Sequence, residues 1–167
     1  MPDTHSNCNI KKPRICLTAF DLAQRFAQVK ELPGAENNSP FIMSMLQLDN
    51  RWPQNDEVPW CSAFVNYVAW LLRLPRSKSL RARSWLEIGR GVDDWLRDAQ
   101  PGFDVVILQR GSGPQPGPEV LDAPGHVGFF AGFQGGVQLL GGNQSDTVNI
   151  STYSVNRILG VRRLYGD

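Results

Sequence analysis

The hydrophobic pattern of this chain changes period once, near Gln100-Pro101-Gly102, and that change restricts the fold more than any other feature. Upstream, apolar residues recur at the 3.6-residue spacing of helices; downstream, they come in short runs separated by glycine and proline, as strands do. Residues 18 to 29 place Phe20, Leu22, Ala23, Phe26, Ala27 and Val29 on one helical face, with Pro33-Gly34 as a stop. A short second helix is predicted over 41 to 48. A third spans 60 to 72, apolar at 60, 63, 64, 67, 68 and 71 and broadened by Val65, Ala69 and Trp70 until it is apolar nearly all round, which marks a centrally buried helix. Residues 79 to 95 read as loop and helix, interrupted by Gly89 and Gly91. Strands are predicted over 103 to 108, 126 to 133, 137 to 140, 147 to 151 and 158 to 164, with a hairpin turn at 132 to 136 and an irregular loop from 110 to 125. Helices first and an antiparallel sheet after is the α+β pattern.

A length of 167 residues supports one self-sufficient core. Residues 17 to 167 are therefore read as a single domain, preceded by a flexible arm over 1 to 16. His5, Cys8 and Cys16 lie in that arm, but a zinc site there lacks a fourth ligand and suitable spacing. The formal charge of +1 gives no field for holding DNA or RNA, so nucleic acid is not expected as a partner. Three cysteines at unpatterned spacing argue against a disulfide framework and fit a reducing site of synthesis. No apolar run has the length of a signal peptide core or a membrane span. The expectation is a chain made soluble in the cytoplasm, monomeric by default, which needs other machinery to reach a substrate beyond the membrane.

Cys61 follows an acidic, proline-marked turn and falls in the first turn of the apolar third helix. Helix-terminal N–H groups and the helix dipole favour a thiolate there, the form that attacks carbonyls. A cysteine nucleophile needs a base, and the base needs a third group to fix its ring. His126, at the start of a strand, is the only histidine besides His5. Asn143 follows the next strand and would return beside His126 through the hairpin. Strand alternation puts Ser145 on the face of Asn143 and Gln144 on the opposite one, unless Gly141-Gly142 introduces a bulge, so Gln144 is a second choice. An oxyanion would be met by the Cys61 N–H and a donor upstream, Gln54 or Asn55. Each residue alone also has a plain structural explanation: a packed cysteine, a strand histidine, a glycine turn. Their order is what favours chemistry.

The segments Asp56-Glu57-Val58-Pro59-Trp60-Cys61-Ser62-Ala63-Phe64-Val65-Asn66, Gly125-His126-Val127-Gly128-Phe129 and Gly141-Gly142-Asn143-Gln144-Ser145-Asp146 together resemble a branch of the CHAP and NlpC/P60 peptidoglycan hydrolases, papain-like cysteine amidohydrolases. Val29 to Gly34 and Ala82 to Leu86 add to the resemblance, which spans about residues 18 to 164. It implies a papain-like fold in which the cysteine helix packs on a five- to six-stranded antiparallel sheet. It also implies Cys61 as nucleophile, His126 as general base and then acid, and Asn143 as the orienting group, where many CHAP relatives have an acidic residue. The implied activity needs no cofactor or metal and cleaves an amide of bacterial peptidoglycan, as an N-acetylmuramoyl-L-alanine amidase or a stem-peptide endopeptidase.

A phage lysin released by a holin and a secreted antibacterial effector with an immunity protein both fit such a chain, acting in the periplasm or on the wall. The alternative is a non-catalytic wall-binding or phage-tail module on the same fold. Trp52, in a polar segment near Cys61, is the candidate for the substrate cleft; Trp60 and Trp85 fall on apolar stripes and are read as core. Arg73, Arg76, Lys78, Arg81, Arg83 and Arg90 are read as a solvated helix face, with attraction to an anionic polymer as the other possibility. Nothing sets Glu31 and Glu57 across a cleft as a glycosidase pair would require.

Overall fold

Thr18 opens the first helix, α1 (Ala19–Gln24), by a capping box: its hydroxyl accepts from the Asp21 N–H while the Asp21 carboxylate accepts from the Thr18 N–H. The helix is half as long as its apolar pattern predicts. After Arg25 the chain turns through Gln28, whose φ is +74°, and Val29 accepts a main-chain hydrogen bond from Val148 across the fold. Phe26 and Val29 still pack on the core, but from a turn and an extended segment, because pairing with 146 to 148 replaces the last helical turn. This computed structural model describes residues 16–34 and 38–165. The arm expected over 1 to 16 lies outside the described residues except for Cys16, which is exposed.

The second helix, α2 (Pro40–Leu46), carries proline in its first turn, where no N–H is needed. The third, α3 (Cys61–Leu71), is buried at Cys61 to Asn66, Val68 and Ala69, as its all-round apolarity requires. A 3₁₀ turn (Ala82–Glu87), a two-residue strand β1 (Arg90–Gly91) and a short helix α4 (Trp95–Asp98) fill the stretch read as loop and helix. The later strands match their predicted positions: β2 (Asp104–Gln109), β3 (Gly125–Phe133), β4 (Val137–Gly141), β5 (Asn149–Tyr153) and β6 (Ile158–Arg163). They form one antiparallel sheet in the order β1-β6-β2-β3-β4-β5. The architecture is α+β.

Alternation along the strands divides the interior. Val105, Ile107, Val127 and Phe129 face α1 to α3 and pack with Trp60, Phe64 and Trp85. Val106, Leu108, Phe130, Leu139 and Val161 face the other way, under Trp95 and Tyr153. Strands β2 and β6 are tied by a buried ion pair, Arg163 Nε to Asp104 Oδ1 at 2.7 Å.

Two basic residues depart from a solvated face. Arg76 pairs with Asp49 at 2.7 Å. Arg83 is fully buried and holds the loop before β3, donating to the carbonyls of Pro116, Gly117, Val120 and Pro124. The irregular loop therefore has an internal anchor that its composition does not announce.

Candidate active site

Cys61 is the first residue of α3, so its own N–H and that of Ser62 have no intrahelical acceptor. These N–H groups and that of Val127 lie near enough to the sulfur to favour its charged form. The Val127 N–H is free to do this because β4 pairs with β3 only from Phe129 onward, leaving the start of β3 with an open flank. Burial pushes the pKa of the Cys61 thiol up, opposed by these three N–H groups and by the positive charge of Arg110. The helix terminus favours the thiolate, as expected, but desolvation outweighs it here.

His126, the second residue of β3, is buried, and its Nε2 lies 3.0 Å from Oε1 of Gln144. The orientation of that amide is fixed by its other end. Gln144 Nε2 donates to the carbonyls of Leu139 and Asn149 and to Asn149 Oδ1, at 3.2, 2.6 and 2.9 Å. Turning the amide over would set Oε1 against three oxygens, so Oε1 must face the imidazole. Oε1 also accepts from the Tyr153 hydroxyl at 3.0 Å. An acceptor opposite Nε2 requires the proton there and leaves Nδ1 with a free lone pair. The Tyr153 ring lies 5.4 Å from the imidazole, inclined by 41°. Burial, with the charges of Arg110 and Arg157 adding to it and the Gln144 bond opposing it, lowers the His126 pKa to about 4. At neutral pH the site therefore holds a neutral thiol and a neutral imidazole of defined tautomer.

The side chain that meets the imidazole is Gln144 and not Asn143. Strand alternation does not extend that far: β4 ends at Gly141, and Asn143, Ser145 and Asp146 take φ of +56°, +53° and +58°. This left-handed turn aims Gln144 inward, while Asn143 and Ser145 line a cavity of about 220 Å³ beside His126. The two glycines before it are required by contact. A Cβ on Gly141 would lie 2.8 Å from Gln144 Oε1 and 3.3 Å from His126 Nε2, and one on Gly142 would lie 2.7 Å from a Trp60 ring carbon.

The upstream donors are not brought to the sulfur. Gln54 spends its amide on the carbonyls of Arg51 and Trp52, and Asn55 lines neither the cavity beside His126 nor the one beside Cys61. Trp52 is 63% exposed and also lies outside both. Glu31 accepts from the Trp60 indole at 2.8 Å and braces the start of α3, while Glu57 is exposed. Tyr153, Asn149, Arg110 and Arg157 carry no signal in the sequence; each acquires its place only when β5 joins β4, the 3₁₀ turn Val155–Arg157 forms after it, and the loop after β2 folds beside them. Among the described residues no group of three or more His, Cys, Asp or Glu side chains is placed to hold a metal ion.

No family model and no curated protein matches this chain. The chemistry open to the arrangement is set by its parts. A lone pair on Nδ1 can accept a proton, a thiol at a helix N-terminus can supply one, and first-turn N–H groups can stabilise an oxyanion.

Proposed function

We propose that this protein is a cysteine amidohydrolase of the bacterial cell wall, on a papain-like fold of the CHAP and NlpC/P60 type, with Cys61, His126 and Gln144 as its catalytic group. The observation that carries this reading is the oriented Gln144 amide, which forces the His126 proton onto Nε2. A packing histidine has no need of a partner whose amide is itself fixed by three further bonds.

In the proposed reaction His126 Nδ1 takes the proton from the Cys61 thiol, and the sulfur attacks the carbonyl carbon of a peptidoglycan amide. The oxygen that gains charge is stabilised by the Cys61 N–H at the head of α3. The tetrahedral adduct collapses, the C–N bond breaks, and the amine leaves with the proton from His126. Water, deprotonated by the same Nδ1, then attacks the thioester, releasing the acid and restoring the thiol. Gln144 holds the ring and remains uncharged throughout.

The test is digestion of purified peptidoglycan by the wild type and by Cys61→Ala, with products identified by mass spectrometry. Soluble fragments from the wild type alone are expected, and their masses name the bond. A second reading, a wall-binding module with a packed cysteine, draws on the burial of Cys61, which is 3% exposed. It predicts binding to sacculi without fragments from either protein.

A further inference from the structure

Two guanidinium groups, those of Arg110 and Arg157, flank the imidazole without ion pairs of their own. Among the described residues the ion pairs are Arg76–Asp49, Arg97 with Asp94 and Asp98, and Arg163–Asp104. Both free guanidinium groups line the cavity of about 220 Å³ that His126, Gln144 and Tyr153 close from below. Among the described residues no carboxylate lines that cavity. Arg110 also borders a second cavity of about 390 Å³, lined in part by Cys61 and Asp122, so it is shared between the cavity beside His126 and the one beside the thiol. Arg110 is close enough for its charge to act on Cys61, His126 and Tyr153, and Arg157 on the latter two.

Resting on the amidohydrolase reading, we infer that Arg110 and Arg157 form a carboxylate-binding subsite, which selects amide substrates bearing a free carboxylate on a residue adjoining the scissile bond. The volume admits one short side chain or chain terminus. Planar guanidinium forks match a carboxylate in two hydrogen bonds each, and the amide of Asn143 and the hydroxyl of Ser145 at the rim offer further donors. Two like charges held beside a base without compensation oppose its protonation, which makes little sense in an empty site and good sense in one completed by an anion. A bound carboxylate offsets one of the two positive charges and so weakens their opposition to His126 protonation, while burial continues to act on the ring.

The experiment uses the muropeptide N-acetylmuramoyl-L-Ala–γ-D-Glu–meso-diaminopimelate, its cross-linked form, and versions in which each carboxylate in turn is a carboxamide. For the wild type, kcat/KM falls by about tenfold or more for one of the carboxamides, the loss expected for a charge-assisted pair. In Arg157→Gln the ratio of carboxylate to carboxamide substrate shrinks towards one, and Arg157→Lys restores part of it. A wild-type ratio near one for every carboxyl position, or an unchanged ratio in Arg157→Gln, overturns the subsite while leaving the hydrolase reading intact. If the wild type cleaves none of these peptides and no sacculus, the hydrolase reading fails. The subsite is then judged by titrating Cys61→Ser with the same peptides and observing the Tyr153 and His126 resonances. Tighter binding of a carboxylate form, lost in Arg157→Gln, sustains it, and equal binding of all forms overturns it.

Discussion

At the scale of single residues, the amide of Gln144 concentrates the most consequence. It accepts from His126 and Tyr153 at one end and donates to Leu139 and Asn149 at the other, so its removal frees the imidazole to rotate and to change tautomer. Gln144→Ala should lower kcat on peptidoglycan by about a hundredfold or more, in the range of lost orienting groups. Tyr153→Phe keeps the amide in place through its donor end and should cost about tenfold in rate and about 1 kcal/mol in stability, read by muropeptide release and urea denaturation. An equal loss in both variants would mean that Tyr153, not Gln144, holds the ring. Cys61 and His126 are legible in the sequence because a helix start and a strand start are local signals. Gln144 is legible only as a second choice, because the strand alternation that favours Asn143 stops at Gly141, and three left-handed residues re-aim the side chains beyond it. Arg110 lies on an irregular loop and Arg157 on the 3₁₀ turn Val155–Arg157, and no periodicity reports either position.

Among the elements, the junction between α3 and the turn after β4 is the tightest. Trp60 and Phe64 from the helix leave no room for a side chain at position 142, where a Cβ would approach the Phe64 Cβ to 2.8 Å. Gly142→Ala should therefore destabilise the fold by about 1 to 3 kcal/mol, the usual cost of overpacking, measured as a drop in Tm. Gly141→Ala separates two functions instead: its methyl enters the space between Gln144 and His126, so activity should fall further than stability does. The strands and α3 are legible because their periods repeat over enough residues to be counted. The second half of α1 is not, since residues 25 to 29 carry a helical pattern yet are captured by Val148, far along the chain.

For the whole molecule, the buried imidazole couples charge to stability. His126 binds its proton near 6.5 when unfolded and near 4 when folded, so between these values the unfolded state holds the extra proton and folding weakens as pH falls. About 3 kcal/mol should be lost from pH 7 to pH 4 by this group alone. His126→Asn should show a flatter decline in denaturant midpoint over that interval than the wild type; parallel curves would place the acid sensitivity in the carboxylates. Well above pH 6.5 neither state is protonated, and the penalty vanishes.

The bridge between Val29 and Val148 has one more consequence. The turn that carries Gln144 is clamped on one side by residues 28 to 31 and on the other by Asn149 and Tyr153, so the group around Cys61 draws on the chain from α1 to β5. Such widely separated contacts close late in folding. A ribosome-bound chain that has not yet released β5 lacks Asn149 and Tyr153 on the Gln144 amide, and a cut within the loop at 110 to 125 separates residues 28 to 31 and Cys61 from His126 and Gln144. The proposed activity would therefore be withheld until most of the chain has been made, with no inhibitor needed during that interval.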